Sequence, residues 1–212
     1  MSDALLVFDL GGTNLRAGAF APKTGQLLNT ARTSSDEVRG VADGAAALEA
    51  VLADLGGQVL NRQPAAVGMA VPGPVQDGVA SRLPSLFGPA YKGGLDFEAL
   101  GRRLWDRPTF ACNDLTAAGH GLVAAGHRDF GVLTLGSGVG GKLFVGGRPL
   151  LGRAGFGGEI GHWRVPGAPP VACDCGGSGH LSALASGRGI VRLARWRAER
   201  DPKGFKASAL AV

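Results

Sequence analysis

The sequence predicts an α/β protein built from two related halves, and three observations carry that reading. Short apolar runs alternate with stretches of helical spacing through roughly the first half of the chain, in the order βββαβαβ. A strand, a glycine turn and a second strand stand at the head of each half, with a third strand expected after each hairpin. Glycine supplies 37 of the 212 residues, more than twice its usual share of about 7%. Its clusters lie beside apolar runs, where turns let the backbone approach a ligand.

Taken in order, Ala4 to Asp9 is a short apolar run ending in an acid, a buried strand by length and composition. Gly11-Gly12-Thr13-Asn14 is a turn, Leu15 to Phe20 the returning strand, and Gln26 to Arg32 a third antiparallel strand. Val41, Ala45, Leu48, Val51, Leu52 and Leu55 keep helical spacing, and Gly56-Gly57 is expected to end that helix. Ala65 to Val71 is a buried strand cut by Pro72-Gly73-Pro74. Phe97 to Trp105 reads as a helix, Thr109 to Cys112 as a strand and Asp114 to Ala125 as a helix. The hairpin pattern restarts with Phe130 to Leu135 and Val139 to Val145, and Glu159 to Val165 is expected as the following strand. Residues 1–112 and 113–212 are the expected domains. With no flexible linker at the boundary, a hinge cleft is expected there, and facing glycine hairpins would clamp a nucleotide's phosphates.

Composition narrows the class. Hydrophobic residues at 45% and charged residues at 18% exclude wholesale disorder. The longest stretch free of Asp, Glu, Lys and Arg, Gln63 to Gln76, is too short and too rich in proline to span a bilayer. Met1-Ser2-Asp3-Ala4 has no basic region of the kind that opens a secretory signal. Three cysteines suit a reducing compartment better than a disulfide framework, so a cytoplasmic protein without a membrane partner is expected. The net charge of +5 lies wholly in the tail from Arg188, where seven basic residues face Glu199 and Asp201. A basic stripe suits nucleic acid, but an Arg-rich helix with solvated faces is the simpler reading, and no nucleic-acid partner is expected.

Three groups of residues carry chemistry. In Asp9-Leu10-Gly11-Gly12-Thr13-Asn14-Leu15-Arg16, backbone N–H groups of the glycine turn can converge on phosphate oxygens. Thr13 adds a hydroxyl donor, and Asp9 can hold a metal ion through water. Leu135-Gly136-Ser137-Gly138-Val139-Gly140-Gly141 is a second turn of the same kind; either could also be a plain hairpin turn. Asn113-Asp114 follows a strand and opens a helix. Asp114 there either takes a proton from a substrate hydroxyl, with Asn113 orienting the substrate, or simply caps the helix. Finally, His162 and the run Cys173-Asp174-Cys175-Gly176-Gly177-Ser178-Gly179-His180 supply two histidines and two cysteines. That set suffices for a closed tetrahedral zinc site, the alternative being idle thiols and surface histidines. Cys112, alone on a strand, reads as core packing.

Together these residues resemble the ROK family of bacterial sugar kinases and repressors. The match runs in order through Asp9–Arg16, Ala70-Val71-Pro72-Gly73-Pro74-Val75, Asn113-Asp114, Leu135–Gly141, Gly157-Gly158-Glu159-Ile160-Gly161-His162, the Cys-x-Cys-Gly knuckle and Ala185-Ser186-Gly187. The resemblance implies the actin-like ATPase, RNase H-like two-domain sugar kinase fold. It also implies transfer of the γ-phosphate of ATP to a hexose hydroxyl, in glucokinases the one on C6. Asp114 aligns with the catalytic base, Asp9 with the Mg²⁺-positioning acid, and Gly11, Gly12, Thr13, Gly136, Ser137 and Gly138 with the phosphate turns. Asn113, Asp114, Glu159 and His162 fall on sugar-contacting positions. His162, Cys173, Cys175 and His180 would hold a structural Zn²⁺ that fixes the wall of the sugar pocket.

The sequence departs from the family pattern in four places. His180 stands for a third knuckle cysteine, and Ser182 for a glutamate that contacts sugar. Leu83-Pro84-Ser85-Leu86-Phe87-Gly88 replaces a segment bearing an asparagine before Gly-Trp. Past Gly187, no counterpart of the family's adenosine-binding turn or returning helix follows. The second domain is therefore expected to be incomplete, to bind ATP poorly and to cover an apolar sheet face with a second copy, as a homodimer or larger assembly. A catalytically inactive, zinc-containing sugar-binding protein of the same family is the alternative. A sugar-responsive repressor fits less well, since a first strand at residue 4 leaves no room for a helix-turn-helix.

Overall fold

A computed structural model describes residues 4–88 and 90–207. Residues 1–3, which enter the reading of a missing leader, lie outside the described residues. The chain divides into two compact units, Met1–Ala117 with Arg153–Gly155, and Ala118–Gly152 with Phe156–Val212.

In the first unit, strands β1 (Leu5–Leu10), β2 (Asn14–Phe20), β3 (Leu27–Ser34), β4 (Ala66–Val71) and β8 (Thr109–Asn113) form one sheet in the order β3-β2-β1-β4-β8. β1 pairs antiparallel with β2 and parallel with β4, and β4 pairs parallel with β8. The two-residue period of β1 and β4 turns Leu6, Phe8, Leu10, Val67, Met69 and Val71 into one core. Helix α1 (Gly44–Val59) covers that face with Leu48, Leu52, Leu55 and Val59, spaced as a helical stripe. Strands β5 (Val75–Gln76), β6 (Val79–Ala80) and β7 (Leu95–Asp96) make a small second sheet, and helix α2 (Pro84–Phe87) adds Leu86 and Phe87 to the core. Helix α3 (Phe97–Trp105) begins where the Asp96 side chain accepts the Ala99 N–H at 2.8 Å.

Two features of α1 differ from expectation. It starts at Gly44 rather than Val41, because the Asp43 carboxylate accepts the Ala46 N–H at 3.0 Å and sets the N-cap. It also runs through Gly56-Gly57 instead of stopping there. Gly56 serves close packing: a Cβ on it would lie 3.1 Å from a Trp105 ring carbon and 3.4 Å from Leu6. Trp105 in turn packs on Phe8 with ring centroids 5.3 Å apart.

The chain enters the second unit within helix α4 (Asp114–Ala124). Strands β9 (Phe130–Leu135), β10 (Val139–Val145) and β11 (Arg148–Pro149) form an antiparallel sheet in the order β11-β10-β9. The third strand is thus the two-residue β11, and the strand expected at Glu159–Val165 is absent. That segment contains a 3₁₀ turn, Ile160–His162, and only Arg164 forms a β-bridge, to His180. The glycines explain the difference. A Cβ on Gly161 would sit 2.0 Å from the Val139 carbonyl oxygen, and Gly158 has φ +84 with the Gly141 oxygen 2.7 Å from its Cβ position. The backbone therefore lies directly against β10 in a conformation that no L side chain tolerates.

Helices α5 (Leu181–Ala185), α6 (Gly187–Arg200) and α7 (Pro202–Lys206) follow, so the basic tail is an Arg-rich helix continued by a short turn of helix. A small core of Val171, Cys173 and Ala183 packs with Leu184, Leu193 and Trp196. Leu133, Leu135, Leu143 and Val145 share one face of β9–β10 and are 59%, 71%, 51% and 56% exposed. Among the described residues no helix is long and apolar enough to cross a membrane.

α4 rests on β10 through Gly119, where a Cβ would lie 2.1 Å from a Phe144 ring carbon. That ring is buried and stacked on Phe130 at 4.8 Å, so it has no room to turn aside. Gly119→Ala gains about 1 kcal/mol of helix propensity, but overpacking here costs about 1–3 kcal/mol. The substitution is expected to lower the urea midpoint of unfolding; an unchanged or raised midpoint would show that α4 can lift off the ring.

Candidate functional site

In the first unit, candidate residues gather at the carboxyl ends of the parallel strands. The register places Asp9 opposite Ala70, Ala70 opposite Cys112, and Val71 opposite Asn113. Ligands of open parallel sheets bind beyond this edge. Asp9 is half-exposed and forms an ion pair with Arg16 across the β1–β2 hairpin, Nη1 to Oδ2 at 2.9 Å. The turn between these strands is closed by the Gly11 N–H donating to the Asn14 carbonyl at 2.9 Å. Arg39 donates to the carbonyls of both Gly12 and Ser85, pinning the tip of the turn to the segment that departs from the family pattern.

Asn113 and Asp114 divide two tasks that the sequence leaves open. Asn113 is buried; its Oδ1 accepts the N–H groups of Leu115 at 3.0 Å and Thr116 at 3.3 Å, and its Nδ2 donates to Gly73 O at 2.9 Å. The cap of α4 therefore rests on Asn113, whose Oδ1 is taken up by the backbone while Nδ2, bonded to Gly73 O, carries a second N–H. Asp114, the first residue of α4, is exposed, with Oδ1 accepting the Leu115 N–H at 2.8 Å. Burial pushes the Cys112 thiol above its ordinary range, and the Asp114 charge adds to the rise. Cys112 is half-buried rather than fully in the core.

In the second unit, the turn after β9 is closed by the Gly136 N–H donating to Gly138 O at 2.9 Å. A Cβ on Gly136 would meet nothing within 4 Å, and the φ of this residue lies outside the left-handed region. Neither packing nor a positive φ requires glycine there. Three hydrogen bonds hold the turn from below. The Val139 N–H donates to Ser182 Oγ at 3.1 Å, the Gly187 N–H to Gly136 O at 2.8 Å, and Arg188 Nε to Ser137 O at 3.1 Å. Ser182, where the family carries a sugar-contacting glutamate, is thus used to brace the glycine turn.

The ligand atoms of His162, Cys173, Cys175 and His180 all lie within 4.8 Å of one another. Cys173 Sγ is 3.7 Å from His162 Nδ1, and Cys175 Sγ is 3.2 Å from His180 Nδ1. A tetrahedral zinc with ordinary bond lengths has S···N edges of about 3.6 Å, so this donor set fits such an ion. Burial pushes the Cys173 thiol up, opposed by the Cys175 backbone N–H and reinforced by the charges of Cys175 and Asp174. A bound cation reverses that preference by favouring the thiolate. Asp174, between the two cysteines, is gripped by Arg188 at 3.2 Å and by Arg192, which also donates to Ala172 O at 3.2 Å.

Glu159 is three-quarters buried and lies 3.5 Å from Lys142 Nζ. Sequence reasoning passed over Lys142, Arg39 and Arg188. For Lys142 a signal existed: it occupies a strand position two before the core residue Phe144, where alternation calls for an apolar side chain. Arg39 and Arg188 act on backbone carbonyls distant in sequence, and nothing in their neighbourhoods marks them.

A mixed α/β chain with the actin-like ATPase fold, bearing two glycine turns at strand ends and a Cys/His knuckle, defines the class. Residues 6–210 match the model of the ROK family, and the chain belongs to that family. It is 37% identical over 221 residues to a C(7)-cyclitol 7-kinase of Streptomyces hygroscopicus, covering 98% of this chain and 62% of the relative. Among solved structures it is similar to a ROK glucokinase from Streptomyces griseus in complex with glucose and AMPPNP, with TM-score 0.71 and 28% identity over 94% of this chain and 62% of that one. A ROK hexokinase from Thermus thermophilus gives TM-score 0.69 and 32% identity, covering 92% of this chain and 64% of that one. The chain spans less than two thirds of the length of these relatives.

Proposed function

We propose that this chain is an ATP-dependent sugar kinase, glucokinase-like in its chemistry, acting in the cytoplasm on a hexose or a closely related polyol. The observation that carries the reading is the division of labour at β8–α4. Asn113 accepts the N–H groups of both Leu115 and Thr116, and Asp114, which shares the Leu115 N–H, presents an exposed carboxylate at the start of the helix. In this reading the sugar oxygen attacks the γ-phosphorus of ATP, and the bridging bond to ADP breaks. The hydroxyl proton passes to Asp114. Asn113, Glu159 and His162 form the sugar-facing set, and Gly11, Gly12, Thr13, Gly136, Ser137 and Gly138 receive the phosphates. Asp9 would position Mg²⁺ through water, and the bound ion would neutralise phosphate charge; Arg16 keeps that carboxylate oriented. The His162, Cys173, Cys175 and His180 knuckle holds a structural Zn²⁺.

The exposed face of β9–β10 supports a further part of the proposal, that two copies associate through the second unit. Leu133, Leu135, Leu143 and Val145 are exposed apolar residues on one face, of the kind that marks an interface. Light scattering is expected to give the mass of a dimer, and Leu135→Glu that of a monomer. A wild-type monomer at micromolar concentration would refute the assembly.

A coupled assay of ADP release with a panel of hexoses tests the activity. Asp114→Asn is expected to lower kcat by about 10²–10⁴-fold while leaving sugar affinity largely intact, because the amide preserves the shape of the carboxylate but cannot accept the proton. Equal turnover in variant and wild type would remove Asp114 from the chemistry. Freshly purified protein is expected to carry about one zinc per chain, and Cys175→Ser to lose both the metal and part of the folding energy that such a site supplies. Zinc-free protein with two freely titrating knuckle thiols would refute the metal assignment.

A further inference from the structure

Lys142 is the most anomalous residue in the second unit. Its side chain is 0% exposed, in the middle of β10. An ammonium removed from water is costly unless hydrogen bonds and an opposite charge compensate it. Both are supplied by one short segment. Nζ donates to the Gly157 carbonyl at 2.7 Å and stands 3.5 Å from Glu159 Oε1.

The pair is asymmetric. The lysine is sealed, whereas a quarter of the Glu159 side chain remains exposed. Lys142 therefore cannot touch a ligand, and Glu159 can. The short bond goes to the Gly157 carbonyl and fixes the backbone leading into Glu159. The longer contact acts through charge and holds one carboxylate oxygen toward the protein. Gly157, Gly158 and Gly161 contribute no side chain, so Ile160, against Gly141, is the one apolar anchor of the segment beside the lysine contacts. A residue of equal length without charge, such as methionine, would fill the same volume but supply neither effect.

We infer that Lys142 is a positioning residue: it sets the place of the Glu159 carboxylate and thereby the affinity for a ligand bearing hydroxyl groups. The identity of that ligand as a phosphoryl acceptor rests on the sugar-kinase reading, whereas the lysine–glutamate coupling does not.

Two measurements test this. With the best hexose of the panel, Lys142→Met is expected to raise the sugar KM about tenfold, leave kcat within about twofold and leave the ATP KM unchanged. Lys142→Arg should recover part of the sugar affinity. An unchanged sugar KM, or equal losses toward both substrates, would overturn the inference in favour of a purely structural lysine. The second measurement needs no turnover and no change at position 142. In ¹⁵N-labelled protein, a lysine ammonium protected from solvent exchange is expected to give its own resonance and to move in Glu159→Gln. Absence of such a resonance, or one indifferent to Glu159→Gln, overturns the inference. Wild-type protein that phosphorylates no hexose would sink the kinase reading alone, and the ammonium resonance would then decide the role of Lys142.

Discussion

Backbone laid on backbone governs the second unit. Residues 157–161 lie so close to β10 and to the residue after β11 that a Cβ on Gly157 would reach within 2.0 Å of Leu150 O, and one on Gly161 within 2.0 Å of Val139 O. Two placements of chemical interest follow from this contact. It brings Glu159 to the buried ammonium of Lys142, and it delivers His162 to the knuckle as the last residue of the 3₁₀ turn. Any side chain at Gly161 would displace the turn and both of these residues with it. Glycine in this stretch is a steric requirement with functional residues on either side of it.

The first unit solves its placement problem with sheet geometry. Parallel pairing of β1, β4 and β8 brings Asp9, the Pro72-Gly73 turn and Asn113 to one edge. Asn113 then ties that edge together by bonding Gly73 while capping α4. A buried amide with both ends satisfied is rigid, so the residue after it inherits a fixed position. Arg39 does comparable work at the other hairpin by gripping Gly12 and Ser85.

How much of this was legible in the sequence depends on the range of the interaction that decides each element. β9, β10 and α3 follow their apolar patterns, and periodicity placed them. The Cys/His cluster of the knuckle was readable because cysteine and histidine are rare and close in sequence. Elements decided by distant contacts were not readable. Gly56-Gly57 looks like a helix stop, yet Trp105, almost fifty residues on, gives Gly56 a packing role inside α1. Glu159–Val165 has the composition of a strand, but contact with Val139 and Gly141 folds it into a turn. Ser182 reads in sequence as a lost sugar contact, and only the fold brings the Val139 amide to it as a donor.

The bonds that brace the second glycine turn also have a kinetic consequence. The Val139 amide finds its acceptor 43 residues away, and Ser137 its guanidinium 51 residues away. The hairpin β9–β10 can zip from local contacts, but its tip has to await closure of a long loop before it takes its final shape. The tip is therefore tied to the start of α5 and of α6, elements distant in sequence from the hairpin that carries it. Although the turn is drawn from the middle of the chain, the time at which it matures is set by residues nearer the end.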